Sequence, residues 1–191
     1  MTFRRTIATS AALLALAACG RGGETGQANT ATVAGVDDTN MTAPNSAAPA
    51  SGAQNFANVA AASDAFEIET SKLALANGAS ASVKSYANTM IEAHTASTAK
   101  LKTAAAGLTP AITPDPTLNA EQQQKLAQLK TLQGAAFDQA YKTEQAAGHQ
   151  QTLDALKAYA ATGDVPQLKT FATGMIPIVT AHLNMAKTLK A

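Results

Sequence analysis

The sequence predicts an all-α protein, a four-helix bundle whose second and third helices are joined by a long crossover. Three observations predict it. From residue 56 onward the chain is rich in alanine, leucine, lysine and glutamine and has no alternating β-branched runs. Its apolar residues recur at steps of three and four, the period of one helical face. Its glycines and prolines fall where they divide this stretch into two helical hairpins with a proline-rich connector between them.

Two segments precede the predicted bundle. Residues 1–18 read as an export signal: Arg4 and Arg5 form a basic start, and residues 6–15 are apolar but too short to cross a bilayer as a permanent helix. The signal ends in Leu16-Ala17-Ala18-Cys19, which resembles a bacterial lipobox. Cys19, the only cysteine, is then the lipidated first residue of the mature chain, which excludes an internal disulfide. Two or three acyl chains give stable anchoring, because each buried methylene contributes about 0.8 kcal/mol. Gly20 after the cysteine favours the outer membrane over the inner. Residues 19–54 are mostly glycine, alanine, threonine, asparagine, serine and proline, with scarcely a large apolar group beyond Val33, Val36 and Met41, a flexible tether by composition.

The folded domain is expected over residues 55–191. Its first helix covers 55–76, with Phe56, Val59, Phe66 and Leu73 on one face and Asn77-Gly78 as the stop. Ser80 or Ser82 opens the second, which ends near Gly107. Pro110, Pro114 and Pro116 keep the next stretch from being helical. Asn119 caps a short helix over 120–132, and Gly134 separates it from the third long helix, which reaches 161. Asp164 is the expected N-cap of the fourth, with Pro166 in its first turn and Pro177 as a possible bend. Short turns inside each hairpin and a long connector between them are the ferritin-like connectivity, the crossover carrying a short extra helix.

The segments SDAFEIETSKLALANG, VKSYANTMIEAHTAS, GAAFDQAY, TGDVPQLKTFATGMIP and AHLNMAKTL, taken in order, resemble the domain of unknown function 4142 family. The resemblance implies a ferritin-like fold in a bacterial envelope protein, of the kind often labelled a predicted outer-membrane protein. The family pattern places an aspartate immediately before the histidine of the second helix, where this chain has Ala93.

Charge and motifs exclude several classes of function. Within the domain, eleven lysines and no arginine face ten carboxylates, so there is no basic stripe for nucleic acid. There is no thiol in the domain, no Gly-x-Ser-x-Gly elbow, no phosphate-binding glycine loop and no His-Glu-x-x-His pair.

The three histidines are the informative residues. His94 lies on the stripe Val83, Ala87, Met90, His94, Ser97, Leu101, and His182 on Leu168, Phe171, Met175, Val179, His182, Ala186, Leu189. Both are expected to face the core, whereas His149, beside Gln145, Thr152 and Leu156, falls at the edge of its apolar face. Counting 1.5 Å per residue along the bundle places all three within ~10 Å of one level. Glu67 and Glu69 flank the stripe of the first helix by about 80° on either side, so one of them faces inward.

Three imidazoles and a carboxylate suit one first-row transition metal ion: zinc, copper, iron or manganese. A di-iron site requires Glu-x-x-His, and Ile91 and Val179 stand three residues before His94 and His182. The competing expectation is a polar core, with the histidines hydrogen-bonded to Tyr86, Tyr141, Tyr159, Thr70 or Asp138.

Two functions are therefore expected. The leading one is a non-enzymatic lipoprotein on the periplasmic side of the envelope, held to the membrane through Cys19, that binds a protein or small ligand or supports the envelope. The alternative is a metal-binding protein with a mononuclear site of His94, His149, His182 and Glu67, or Glu69 in its place.

Overall fold

The computed structural model describes residues 52–191. Cys19, the signal and the tether up to residue 51 lie outside the described residues. The rest forms five helices: α1 (Gly52–Asn77), α2 (Ala81–Ala106), α3 (Ala120–Lys130), α4 (Gly134–Thr162) and α5 (Pro166–Thr188). Among the described residues there is no strand, and no helix is long and apolar enough to cross a membrane.

The four long helices are arranged as the crossover demands. Each of α1 and α4 packs on its hairpin partner, α2 and α5 respectively, and the hairpins meet side by side through α1 on α4 and α2 on α5. An up-and-down bundle would instead make α2 and α4 neighbours. The extended segment after Gly107 is tied to α1, where the Thr113 carbonyl accepts from the Gln54 side chain and the Asp115 N–H donates to Asn58, and α3 packs on both α1 and α4. Asn119 starts α3 as expected: its side chain accepts from the Gln122 backbone N–H at 2.9 Å, and the Gln122 side chain accepts from the Asn119 N–H at 3.0 Å.

Three expectations are corrected. The first helix starts at Gly52, three residues early, with Ala53 packed into the core. Of the four bulky residues expected on one face of α1, Phe56 and Phe66 are buried as expected but Val59 is exposed, because the buried face also runs through Ala53, Ala57, Ala61, Asp64, Glu67, Ser71 and Ala74. The N-cap of α5 is Val165; the Asp164 carboxylate accepts from the Tyr159 hydroxyl instead. As expected, Pro177 lies within α5, which continues through it to Thr188.

The core has two apolar halves. One contains Phe56, Leu101, Leu153, Leu156, Leu168 and Val179, and the other Val83, Met90, Leu129, Phe137, Tyr141 and Ala186. Between them lies a layer of buried polar side chains drawn from all four long helices: Asp64, Glu67, His94, Gln145, His149 and His182.

Candidate metal centre

Each histidine reaches this layer from a different helix. The stripe of α2 carries His94 inward at 3% exposure, and that of α5 carries His182 inward at 7%. His149 of α4 is not at an edge: it is 1% exposed, because α1 covers the side of α4 that the sequence leaves open. The ring centroids form a nearly equilateral triangle with sides of 5.5, 5.5 and 5.6 Å. One nitrogen from each ring lies within 4.8 Å of the other two.

Hydrogen bonds set which nitrogens face the centre. The Nδ1–H of His149 donates to the Gln145 carbonyl one turn back, at 2.8 Å. A carbonyl only accepts, so the proton sits on Nδ1 and the His149 Nε2 carries a lone pair. His94 Nδ1 donates to the Asp64 carboxylate at 2.8 Å, which leaves its Nε2 facing the centre in the same way. The two Nε2 atoms are 3.4 Å apart. His182 Nδ1 is buried with no hydrogen-bond partner.

Asp64 was not singled out in the sequence, and its effect is the larger for that. It comes from α1, is 5% exposed and is steadied by the Thr98 hydroxyl at 3.1 Å from its other oxygen. A carboxylate behind a ligating imidazole fixes its tautomer and raises its basicity. The position before His94 is Ala93, and the carboxylate facing His94 is supplied by α1. The spacing Asp64-x-x-Glu67, one helical turn on a face that also carries Ala53, Ala57, Ala61 and Ala74, is the available signal.

Glu67 is buried at 1% exposure, and Glu69 points to solvent, paired with Lys72 at 3.0 Å. Of the two, Glu67 is the inward one. Its Oε1 lies 3.7 Å from His149 Nδ1, the nitrogen turned away from His94, and its Oε2 accepts from Gln145 Nε2 at 2.5 Å. Glu67 thus stands behind His149 much as Asp64 stands behind His94, outside the three clustered nitrogens.

None of the hydroxyls, nor the carboxylate, expected as histidine partners is hydrogen-bonded to a histidine. Tyr141 pairs with Ser71 at 2.7 Å, Tyr159 donates to Asp164, and Thr70 donates to the Phe66 carbonyl. Asp138 accepts from the backbone N–H groups of Ala79 and Ser80, and Tyr86 Oη is buried without a partner.

Burial dominates the electrostatics. It pushes the Glu67 carboxyl up to about 7, against opposing pulls from His94 and Gln145. It pushes His149 and His182 down to about 4, with the neighbouring His94 adding to the effect. For His94, burial is outweighed by the Asp64 hydrogen bond and the charges of Glu67 and Asp64, and its pKa is raised.

A family model, Domain of unknown function (DUF4142), matches residues 38–189, a span that includes all five helices. The chain belongs to this family. Comparison with curated proteins and with solved structures returns no match. The DUF4142 description names no chemistry.

Proposed function

We propose that this DUF4142 protein binds one divalent first-row transition metal ion through His94, His149 and His182, and that it does so as a lipoprotein of the bacterial envelope anchored at Cys19. The supporting observation is the pair of Nε2 atoms at 3.4 Å whose rings have both committed their Nδ1 protons elsewhere. Two lone pairs so placed repel unless a cation lies against both. At a metal–nitrogen distance of about 2.05 Å, two tetrahedral ligands are about 3.3 Å apart, which is the spacing of this pair. His182, with a ring nitrogen within 4.8 Å of the other two, supplies the third ligand, and the fourth position is left for water or a small ligand.

Charge balance favours a dication. Two buried carboxylates, Asp64 and Glu67, surround three imidazoles within a low-dielectric layer. With the imidazoles neutral, one dication cancels both negative charges, whereas uncompensated burial of either carboxylate is costly. The competing occupant is a proton on His94 Nε2, donated to His149, which the raised pKa of His94 favours. That reading makes the layer a structural polar core.

Elemental analysis separates the two. The chain, purified without chelator or histidine tag, is expected to carry close to one equivalent of a first-row metal, or to take up one equivalent of Zn2+ or Co2+ on titration. Failure to do either leaves the proton as the occupant and overturns the metal reading. The envelope part has its own test: Cys19→Ser is expected to abolish acyl labelling and membrane fractionation, and normal membrane association of that variant overturns it.

A further inference from the structure

Against the histidine layer, between all four long helices, lies a cavity of about 20 Å3. Its wall takes a side chain one turn from the layer on each helix: Ser97 three residues after His94, Thr152 three after His149, Val179 three before His182 and Ala60 four before Asp64. His94 and Asp64 themselves complete this part of the wall. The start of α2 meets both the start of α4 and the end of α5, through Ser80 with Asp138 and with the Lys190 carbonyl, so α2 and α4 run one way and α5 the other. With α1 antiparallel to α2 in its hairpin, all four steps lead to the same side of the imidazoles.

The rest of the wall is apolar, formed by Leu156, Phe171 and Met175, and the Thr152 hydroxyl is tied to Ser63 at 2.7 Å. On the other side of the layer, one turn from the same histidines, stand Met90, Gln145 and Ala186, each at 0% exposure. Bulky side chains therefore lie against one side of the imidazole triangle and the cavity against the other.

We propose that the fourth position of the histidine centre opens into this cavity, and that it takes one water or one neutral diatomic molecule of the nitric oxide kind while excluding anions of three or more atoms. This rests on the metal reading of the three histidines. Imidazoles at the corners of a triangle leave a fourth, tetrahedral ligand the direction away from its plane. A volume of about 20 Å3 has room for about one water. A diatomic molecule with its first atom on the metal places only its second atom there, whereas a three-atom anion has to displace Leu156 or Val179. Charge acts in the same direction, because a dication already balances Asp64 and Glu67 and an added anion leaves one uncompensated charge in a buried layer. Neutral molecules carry no such cost, and apolar cavities inside proteins do admit them. Binding exchanges one water for one ligand molecule and breaks no covalent bond in either.

Nitric oxide and azide, offered to the full chain, test the assignment. The Fe2+-loaded chain under anaerobic conditions is expected to give the electron paramagnetic resonance signal of an iron–nitrosyl centre, and the Co2+-loaded chain to keep its visible spectrum in a large excess of azide. Val179→Ala enlarges the cavity beside the imidazoles and is expected to raise the apparent azide affinity about ten-fold or more, while Ser97→Val fills it and is expected to weaken nitric oxide binding by a similar factor with Co2+ affinity unchanged. Either variant serves alone if the other does not fold. Azide binding to the native chain as tight as to Val179→Ala, nitric oxide binding unaltered in Ser97→Val, or no nitrosyl signal from the Fe2+-loaded native chain overturns the cavity as the ligand's place and leaves the metal site standing. A native chain that binds neither Fe2+ nor Co2+ overturns the metal site and the ligand position together.

Discussion

His94 and His149 are aligned by partners that lie behind them, so the first consequences are at the residue scale. Asp64→Asn retains the size of the side chain but loses the charge that holds the His94 tautomer. It is expected to weaken metal binding 10- to 100-fold, measured by competition with a chromophoric chelator, with little change in helicity. The metal-free protein should show the burial of its titrating groups in its pH dependence. Glu67 has a pKa raised from 4.5 to about 7, so its contribution is complete below 4.5 and is lost as pH rises through 7. His149 and His182 are depressed from 6.5 to about 4, so theirs is present above 6.5 and is lost as pH falls toward 4. Two histidines oppose one glutamate below 6.5, and acid therefore destabilises there. Above 6.5, the raised groups Glu67 and His94 make alkali destabilising. Melting of chelator-treated protein is expected to be highest near pH 6.5, and a continuous rise to pH 8.5 would contradict the buried Glu67.

At the scale of the element, the turn between α1 and α2 is fastened from another helix. Ser80 opens α2 without a side-chain cap of its own, and the Asp138 carboxylate of α4 accepts from the Ala79 and Ser80 N–H groups at distances down to 2.8 Å. The approach is close enough that a Cβ at Gly78 would meet Asp138 Oδ1 at 2.8 Å and the Ala74 carbonyl at 2.6 Å. Asp138→Ala is expected to cost about 1–2 kcal/mol in urea denaturation, the range of a lost N-cap, with metal affinity unchanged because Asp138 is not among the partners of the histidines. Gly78→Ala is expected to cost more than loss of the cap, since the neighbour it strikes is backbone. A neutral result for Asp138→Ala would mean that the two N–H groups find other acceptors.

For the whole molecule, the histidine layer is a weak plane in the core when empty and a cross-link when filled. It divides the two apolar halves, and its three imidazoles come from α2, α4 and α5, so a metal ion would tie the two hairpins together. Because the unfolded chain does not assemble this set, binding adds to folding stability: about 2.7 kcal/mol at a free metal concentration 100 times the Kd. Saturating Zn2+ is expected to raise the melting temperature of the native chain and to leave that of His149→Gln nearly unchanged. Equal shifts in both proteins would place the bound metal elsewhere.

The sequence by itself determined the helices, their boundaries to within a few residues and the crossover connectivity, because these depend on local chemistry: apolar period, the Asn119 cap, the prolines after Gly107 and the length of each connection. It also placed His94 and His182 in the core, since each sits on an apolar stripe of its own helix. The tertiary structure decided what depends on a second helix. His149 looked peripheral on α4 alone and is buried because α1 covers it. On α1 the sequence marks Phe56 and Phe66, which are buried, but also Val59, which is exposed, and it does not mark the rest of the buried face, which consists largely of alanines, which suit either environment, and of Asp64 and Glu67, which in isolation favour water. Only packing selects Glu67 over Glu69 and sets Asp64 against His94. A carboxylate becomes tolerable inside a protein when a partner from another helix meets it there, and a single helix cannot name that partner.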